Sequence, residues 1–69
     1  MPSIRLERAR SALRILSIDQ QEVLMFRLAQ NLTLQDTASV MGRSIDAVRS
    51  LQLRAIEHLA EILDAVEDD

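Results

Sequence analysis

The chain has no cysteine and no lysine, and it contains one glycine, one proline and one aromatic residue, Phe26. The absence of cysteine excludes disulfides and thiolate metal sites, and a single histidine, His58, cannot build a histidine metal cluster. No uninterrupted apolar run approaches the length of a membrane span or of the apolar region of a signal peptide. We therefore expect a cytoplasmic protein with no membrane segment, metal, cofactor or small-molecule ligand, and a surface position for His58.

The composition is that of one small globular domain. The chain has 69 residues, of which 48% are hydrophobic and 28% are charged, so it is neither disordered nor collagen-like. A domain of this size buries only roughly 60% of the surface that its unfolded chain exposes. We expect a single domain over residues 1–69 with modest stability.

The formal charge of −3 hides an uneven distribution. Residues 1–55 hold all eight arginines and five acids, which gives +3, whereas residues 56–69 hold six acids and no base, which gives −6. The average charge argues weakly against a nucleic-acid partner, but a basic body with an acidic tail leaves room for an anion-binding surface.

The spacing of apolar residues predicts four helices and no strand, an all-α fold. Leu6, Ala9, Leu13 and Leu16 recur on one helical face, and no stretch of strand length alternates β-branched with polar residues. The predicted helices span about residues 3–16, 18–30, 34–41 and 45–66.

Residues that favour helix ends separate the four segments. Ser17 with Gln20 three residues later fits a capping box, and Thr33 and Ser44 are good N-cap residues. Asn31 tolerates the left-handed backbone conformation that often ends a helix. The connections between helices are therefore short.

The third and fourth segments have the spacing of a helix-turn-helix. Ala38, Gly42 and Val48 form the pattern Ala-x3-Gly-x5-Val. A small side chain at Ala38 lets two helices approach, Gly42 permits a left-handed turn, and Val48 packs the second helix against the first. This arrangement leaves the start of the second helix free to enter a major groove. A plain helical bundle with a glycine turn is the alternative interpretation.

Catalysis has no support in the sequence, so we expect a protein that is not an enzyme. Glu57 and Glu61 lie one helical turn apart, but nothing predicts a pocket around them. No nucleophile pairs with His58, and no phosphate-binding loop or metal cluster is present in the sequence.

The sequence resembles region 4 of bacterial sigma factors, most closely in the extracytoplasmic-function (ECF) group. The resemblance covers about residues 12 to 59 and implies a domain that binds double-stranded promoter DNA at the −35 element. It also implies docking on the β flap of the RNA polymerase core and, often, capture by an anti-sigma factor. The segments that carry it are Ala12-Leu13, Leu16-Ser17, Asp19-Gln20-Gln21-Glu22-Val23-Leu24, Arg27, Leu32-Thr33, Met41-Gly42, Val48-Arg49-Ser50-Leu51-Gln52 and Arg54-Ala55.

The resemblance also implies which residues meet the DNA. The positions that face the groove in the family are Arg49, Ser50, Leu53 and Arg54 in this chain, while Arg43 and Ser44 would meet the DNA backbone.

Elementary chemistry adds to this set. Arginine can donate two hydrogen bonds to a guanine, and the helix starts at Thr33 and Ser44 offer N–H groups to phosphates. Gln35 is a further candidate for a phosphate contact.

Several residues depart from the usual pattern of the family. Leu51 and Gln21 stand where arginine is common, and Thr37 replaces an aliphatic residue. Asp46 places a negative charge near the groove, where it would accept a hydrogen bond from cytosine or repel phosphate. Together these differences predict weak DNA binding by the domain alone.

Two alternative functions remain open. One is a protein-interaction module that is held by an anti-sigma factor or another regulator and has little DNA binding of its own. The other is a LuxR-type DNA-binding output domain, which would dimerise through its last helix. Because region 4 normally follows an upstream domain, we expect the 69 residues to be a piece of a longer sigma factor.

Overall fold

The computed structural model of the protein describes residues 4–67, with side chains from Glu7 to Ala65. Helix α1 (Ile4–Ile15) is followed by α2 (Ile18–Leu24), a π-helical segment (Met25–Ala29), α3 (Leu34–Met41) and α4 (Ile45–Glu67). Every regular element in this part of the chain is helical, which confirms the predicted all-α fold with a helix-turn-helix. Helix α4 alone is about 35 Å long, and the described part measures 39 × 24 × 15 Å.

The predicted N-caps are present. The backbone N–H of Gln20 donates to Ser17 Oγ over 3.2 Å, and Ser17 N–H donates to Gln20 Oε1 over 3.3 Å, which completes the capping box. Thr33 accepts from the N–H of Asp36 over 3.0 Å. These bonds satisfy N–H groups that the first turn of a helix leaves without a helical partner.

Within residues 4–67, the two residues with a left-handed backbone conformation lie where the sequence predicts helix ends. Gly42 follows α3 with φ 66°, and Asn31 follows the π-helical segment with φ 55°. A β-carbon built on Gly42 meets no atom within 4 Å. The requirement for glycine therefore comes from the backbone conformation and not from lack of space.

Helix α4 contacts each of the other three α-helices and forms the centre of the core. Val48 and Ala55 on α4 are completely buried, and Ala38 on α3 is 5% exposed. The small side chain of Ala38 lies between α3 and α4, as predicted. The buried residues of the cluster are Leu16, Val23, Leu24, Ala38, Val48 and Ala55.

The buried face of the first predicted helix agrees with the prediction at Leu16, which is 3% exposed, and differs from it at Leu13. Ala12 is 1% exposed, whereas Leu13 on the predicted face is 37% exposed. Helix α1 packs against α4, and a small side chain at the contact allows two helix axes to approach closely. Leu13 instead lines an open groove. The predicted contribution of Leu6 lies outside the residues whose side chains are described.

The end of the second predicted helix is a π-helix. The N–H of Gln30 donates to the carbonyl of Met25, five residues back, over 3.0 Å. The N–H of Leu32, just after this segment, donates to the carbonyl of Phe26 over 2.8 Å. The wider turn rotates the following side chains relative to an α-helix. Leu28, which we expected to supply apolar content to this helix, is 70% exposed.

Thr37 is buried with its hydroxyl satisfied. Its side chain is fully inaccessible, and Oγ1 donates to the carbonyl of Thr33 over 2.8 Å. The same carbonyl accepts the backbone N–H of Thr37 over 2.9 Å. A polar residue thus occupies the position of an aliphatic one without an unpaired buried group. None of the helices within residues 4–67 combines the length and apolar character that a bilayer crossing requires.

Candidate nucleic-acid interface

Helices α3 and α4 are joined by a tight turn that sets their relative orientation. Arg43 N–H donates to the carbonyl of Ala38 over 3.0 Å, and Gly42 N–H to that of Ser39 over 3.3 Å. Ser44 then starts α4, because its Oγ accepts the N–H of Ala47 over 3.1 Å. The first turns of α4 therefore follow the turn without an intervening loop.

One side of α4 is buried and the opposite side carries the predicted base-reading residues. Val48 and Ala55 fix the buried side. Positions 46, 49, 50 and 53 follow the i, i+3, i+4, i+7 spacing of a single helical face. We call this set, together with Arg54 one turn beyond Ser50, the reading face; its members are Asp46, Arg49, Ser50, Leu53 and Arg54.

The reading face is open to solvent along its length. The side chain of Arg49 is 65% exposed and that of Asp46 is 92% exposed, while Leu53 is 58% exposed. Ser50 and Arg54 are exposed as well. A leucine that points away from the core beside arginines offers an apolar contact to a base edge, such as the methyl group of thymine.

The predicted phosphate contacts lie at the starts of the two helices. Thr33 and Gln35 are exposed at the start of α3, and Arg43 and Ser44 are exposed just before α4. The N–H groups of a helix start and the positive end of its dipole both favour an anion. The structure thus places all eight sequence-predicted contacts on the helix-turn-helix and leaves each of them accessible.

Two arginines of this surface are already paired with carboxylates. Arg43 forms an ion pair with Asp19 of α2, and Arg49 Nη1 lies 3.5 Å from Asp46 Oδ1. Among the side chains from Glu7 to Ala65 these are the ion pairs present, and each involves an arginine that was predicted to meet DNA. The side chain of Asp46 is 92% exposed and that of Asp19 is 49% exposed.

Arg27 has a structural role that the sequence did not predict. Its Nε donates to Gln52 Oε1 over 2.7 Å, and its Nη1 donates to the carbonyl of Leu32 over 2.5 Å. The half-buried guanidinium therefore connects the α2–α3 loop to the middle of α4. The signal in the sequence was a lone arginine within the apolar stretch after Val23.

His58 is half-buried, which corrects the expectation of a plain surface residue. Its Nδ1 lies 3.1 Å from Oε1 of Gln20, the residue that completes the capping box of α2. The contact joins α4 to the start of α2. Over residues 4–67 there is no group of three or more histidine, aspartate or glutamate side chains arranged to hold a metal ion.

An apolar groove lies outside the helix-turn-helix. It has a volume of about 550 Å³ and shares no residue with the reading face. Leu28 and Ile18 are its most exposed apolar lining residues, at 70% and 72% exposed. Its lining residues are Leu13, Ile18, Gln21, Glu22, Leu24, Met25, Leu28, Ala29 and Leu59.

A helix-turn-helix whose second helix presents arginines to solvent defines a DNA-binding domain. Residues 12–61 match the family model described as sigma-70, region 4. The chain therefore belongs to the sigma-70 region 4 family, which confirms the resemblance and decides against the LuxR-type alternative.

One curated relative supports the same assignment. The chain is 42% identical over 52 residues to the ECF RNA polymerase sigma factor BldN of Streptomyces coelicolor. The matched segment covers 75% of this chain and 20% of the relative, so the chain spans about a fifth of that protein. No solved structure is significantly similar to the chain.

Proposed function

We propose that this chain recognises the −35 promoter element with α4 in the major groove. The observation that carries the proposal is the exposed face with Arg49, Ser50 and Leu53, which is held rigidly because Val48 and Ala55 on the opposite side are completely buried. Arginine is the residue that reads guanine through O6 and N7. Arg54 extends the face by one turn.

The proposed orientation assigns phosphate contacts to the ends of the two helices. Thr33 and Gln35 would meet one side of the groove, and Arg43 and Ser44 the other. Contacts of this kind position the domain without reading sequence. They make the affinity fall as the salt concentration rises. The slope of log binding constant against log salt concentration becomes more negative by about 0.9 for each phosphate that is neutralised.

The test of this proposal is duplex binding by single variants. Arg54→Ala should lower the affinity for a −35 duplex by about 1–3 kcal/mol. The matched control is Arg10→Ala, which removes the same charge from an exposed position on α1. Equal losses for both variants would show that only net charge matters and would contradict the groove assignment.

We also propose that the chain acts by binding rather than catalysis, in the cytoplasm, as one part of a longer sigma factor that docks on RNA polymerase.

The β flap of the core enzyme is the proposed occupant of the apolar groove, because the groove is open and lies outside the reading face. Leu28→Glu should abolish retention of the chain on the core enzyme. Val40→Glu, at an exposed position outside the groove, should leave it unchanged.

The second candidate function is a protein-interaction module held by an anti-sigma factor. The observation that favours it is the pairing of Arg43 and Arg49 with carboxylates, which lowers the charge available to DNA. Titration with duplex DNA at low salt separates the two functions. Binding that weakens steeply with salt supports the promoter function, whereas no binding at low salt supports the interaction module.

A further inference from the structure

An acidic residue lies at the N-terminal end of the reading face, which is otherwise suited to an anionic ligand. Asp46 is the second residue of α4 and its side chain is 92% exposed. It shares one helical face with Arg49, Ser50 and Leu53, at spacings of three, four and seven residues. This inference rests on the proposed promoter function and specifies which base the face recognises.

The position of Asp46 favours a base edge over the DNA backbone as its neighbour. In helix-turn-helix domains the first residues of the second helix contact base edges. Asp46 lies in the first turn of α4 and on the same face as Arg49 and Leu53, opposite the buried Val48. The phosphate contacts are instead assigned to the helix starts at Thr33 and Ser44.

Cytosine N4 and adenine N6 are the amino donors of the major groove, but adenine N6 lies beside the N7 acceptor, which repels a carboxylate, so cytosine is the preferred partner. Aspartate is an acceptor only, and cytosine N4 is the amino group that carboxylates accept from in the major groove. A C·G pair presents this donor next to the O6 and N7 acceptors of guanine. Asp46 and Arg49 together supply the complementary acceptor and donors.

The contact between the two side chains supports a joint role. Arg49 Nη1 lies 3.5 Å from Asp46 Oδ1, which is too long for a strong hydrogen bond. The carboxylate is therefore near enough to orient the guanidinium and retains acceptor capacity for a base. The pair carries no net charge, so it adds little to non-specific attraction for phosphate.

We propose that Asp46 and Arg49 act as one reading unit for a C·G base pair, or for a cytosine and a guanine at adjacent positions, within the −35 element. Asp46 accepts from cytosine N4, and Arg49 donates to guanine O6 and N7. Asp46 is thereby a specificity-determining residue, and the −35 element bound by this chain contains a cytosine that depends on it.

Competition among duplexes with all four bases at each −35 position tests the proposal. The chain should prefer cytosine at one position by about 5- to 150-fold over other bases. Asp46→Ala should abolish that preference. Asp46→Asn should transfer it to adenine, because the amide pairs with adenine N6 and N7.

The control is Asp36→Asn, which removes an exposed acid of α3 that lies off the reading face. This variant should raise affinity for every duplex alike and leave base preferences unchanged. If Asp46→Asn behaves in the same way, Asp46 is only a repulsive charge and the inference is overturned, although the promoter function stands. If the unmodified chain shows no base preference at any position, the promoter function and the inference both fail.

Discussion

Arg27 and Gln52 are joined by a hydrogen bond of 2.7 Å from Nε to Oε1, although 25 residues separate them in the chain. The same guanidinium donates to the backbone carbonyl of Leu32. One side chain therefore fixes the loop before α3 and the middle of α4 at a constant separation. The two helices of the helix-turn-helix are held by this bridge as well as by their shared core.

Replacing Arg27 with methionine should lower the free energy of unfolding by about 1.5–3 kcal/mol, because bonds from a charged donor are lost and the apolar stem is kept. Urea denaturation measures this change. Arg10→Met, at an exposed position on α1, should change stability by no more than about 0.5 kcal/mol. If the two variants unfold at the same urea concentration, the bridge contributes no stability.

Gly42→Ala should destabilise the domain by about 1–2 kcal/mol, the cost of a β-carbon in the left-handed conformation. Since nothing lies within 4 Å of that position, the cost comes from the backbone alone. Asn, which visits this conformation readily, should cost less than Ala despite its larger side chain. Thermal unfolding of both variants checks the order, and a larger loss for Gly42→Asn would indicate a steric cause.

Asp19→Asn should tighten duplex binding at low salt, because it removes the carboxylate that competes with phosphate for Arg43. The logarithmic salt dependence should steepen by about 0.9 if Arg43 gains one phosphate contact. Glu22→Gln changes the charge of the same helix by the same amount, but Glu22 lies in the apolar groove. An equal effect of both variants would assign the change to net charge.

Thr37→Val should alter stability by less than about 1 kcal/mol, although it removes a buried hydrogen bond. The carbonyl of Thr33 keeps the backbone N–H of Thr37 as a partner, so no buried polar group is left unpaired. Thr37→Ser keeps the hydroxyl but removes a buried methyl group, which should cost about 1 kcal/mol. A lower urea midpoint for Thr37→Val than for Thr37→Ser would show that the hydroxyl contributes more to stability than the methyl group.

The features that the sequence predicted well are those set by neighbours in the chain. Ser17, Thr33 and Ser44 start helices through bonds to residues three positions away, and Gly42 ends one through its own backbone conformation. Such interactions can be recognised from short patterns in the sequence. The helical face of α4 was predictable for the same reason, because its apolar positions recur at regular spacing.

The features that the sequence did not predict depend on contacts between distant segments. The burial of Ala12 in place of Leu13 is set by how closely α1 approaches α4. Nothing local distinguishes the π-helical segment from a continued α-helix, and the contact between His58 and Gln20 spans 38 residues. The predicted DNA contacts differ from both groups. They follow from the sequence and its family, and duplex binding by single variants tests them.

Helix α4 packs at the centre of the core and also presents the reading face. Any tilt of the helix toward a new base would pull Val48 and Ala55 out of complete burial. A duplex bound in the proposed way would therefore meet a helix whose direction is fixed by the core. The exposed positions of α4 meanwhile have almost no part in holding the fold together, so promoter preference is free to change by substitution there while the architecture is inherited intact.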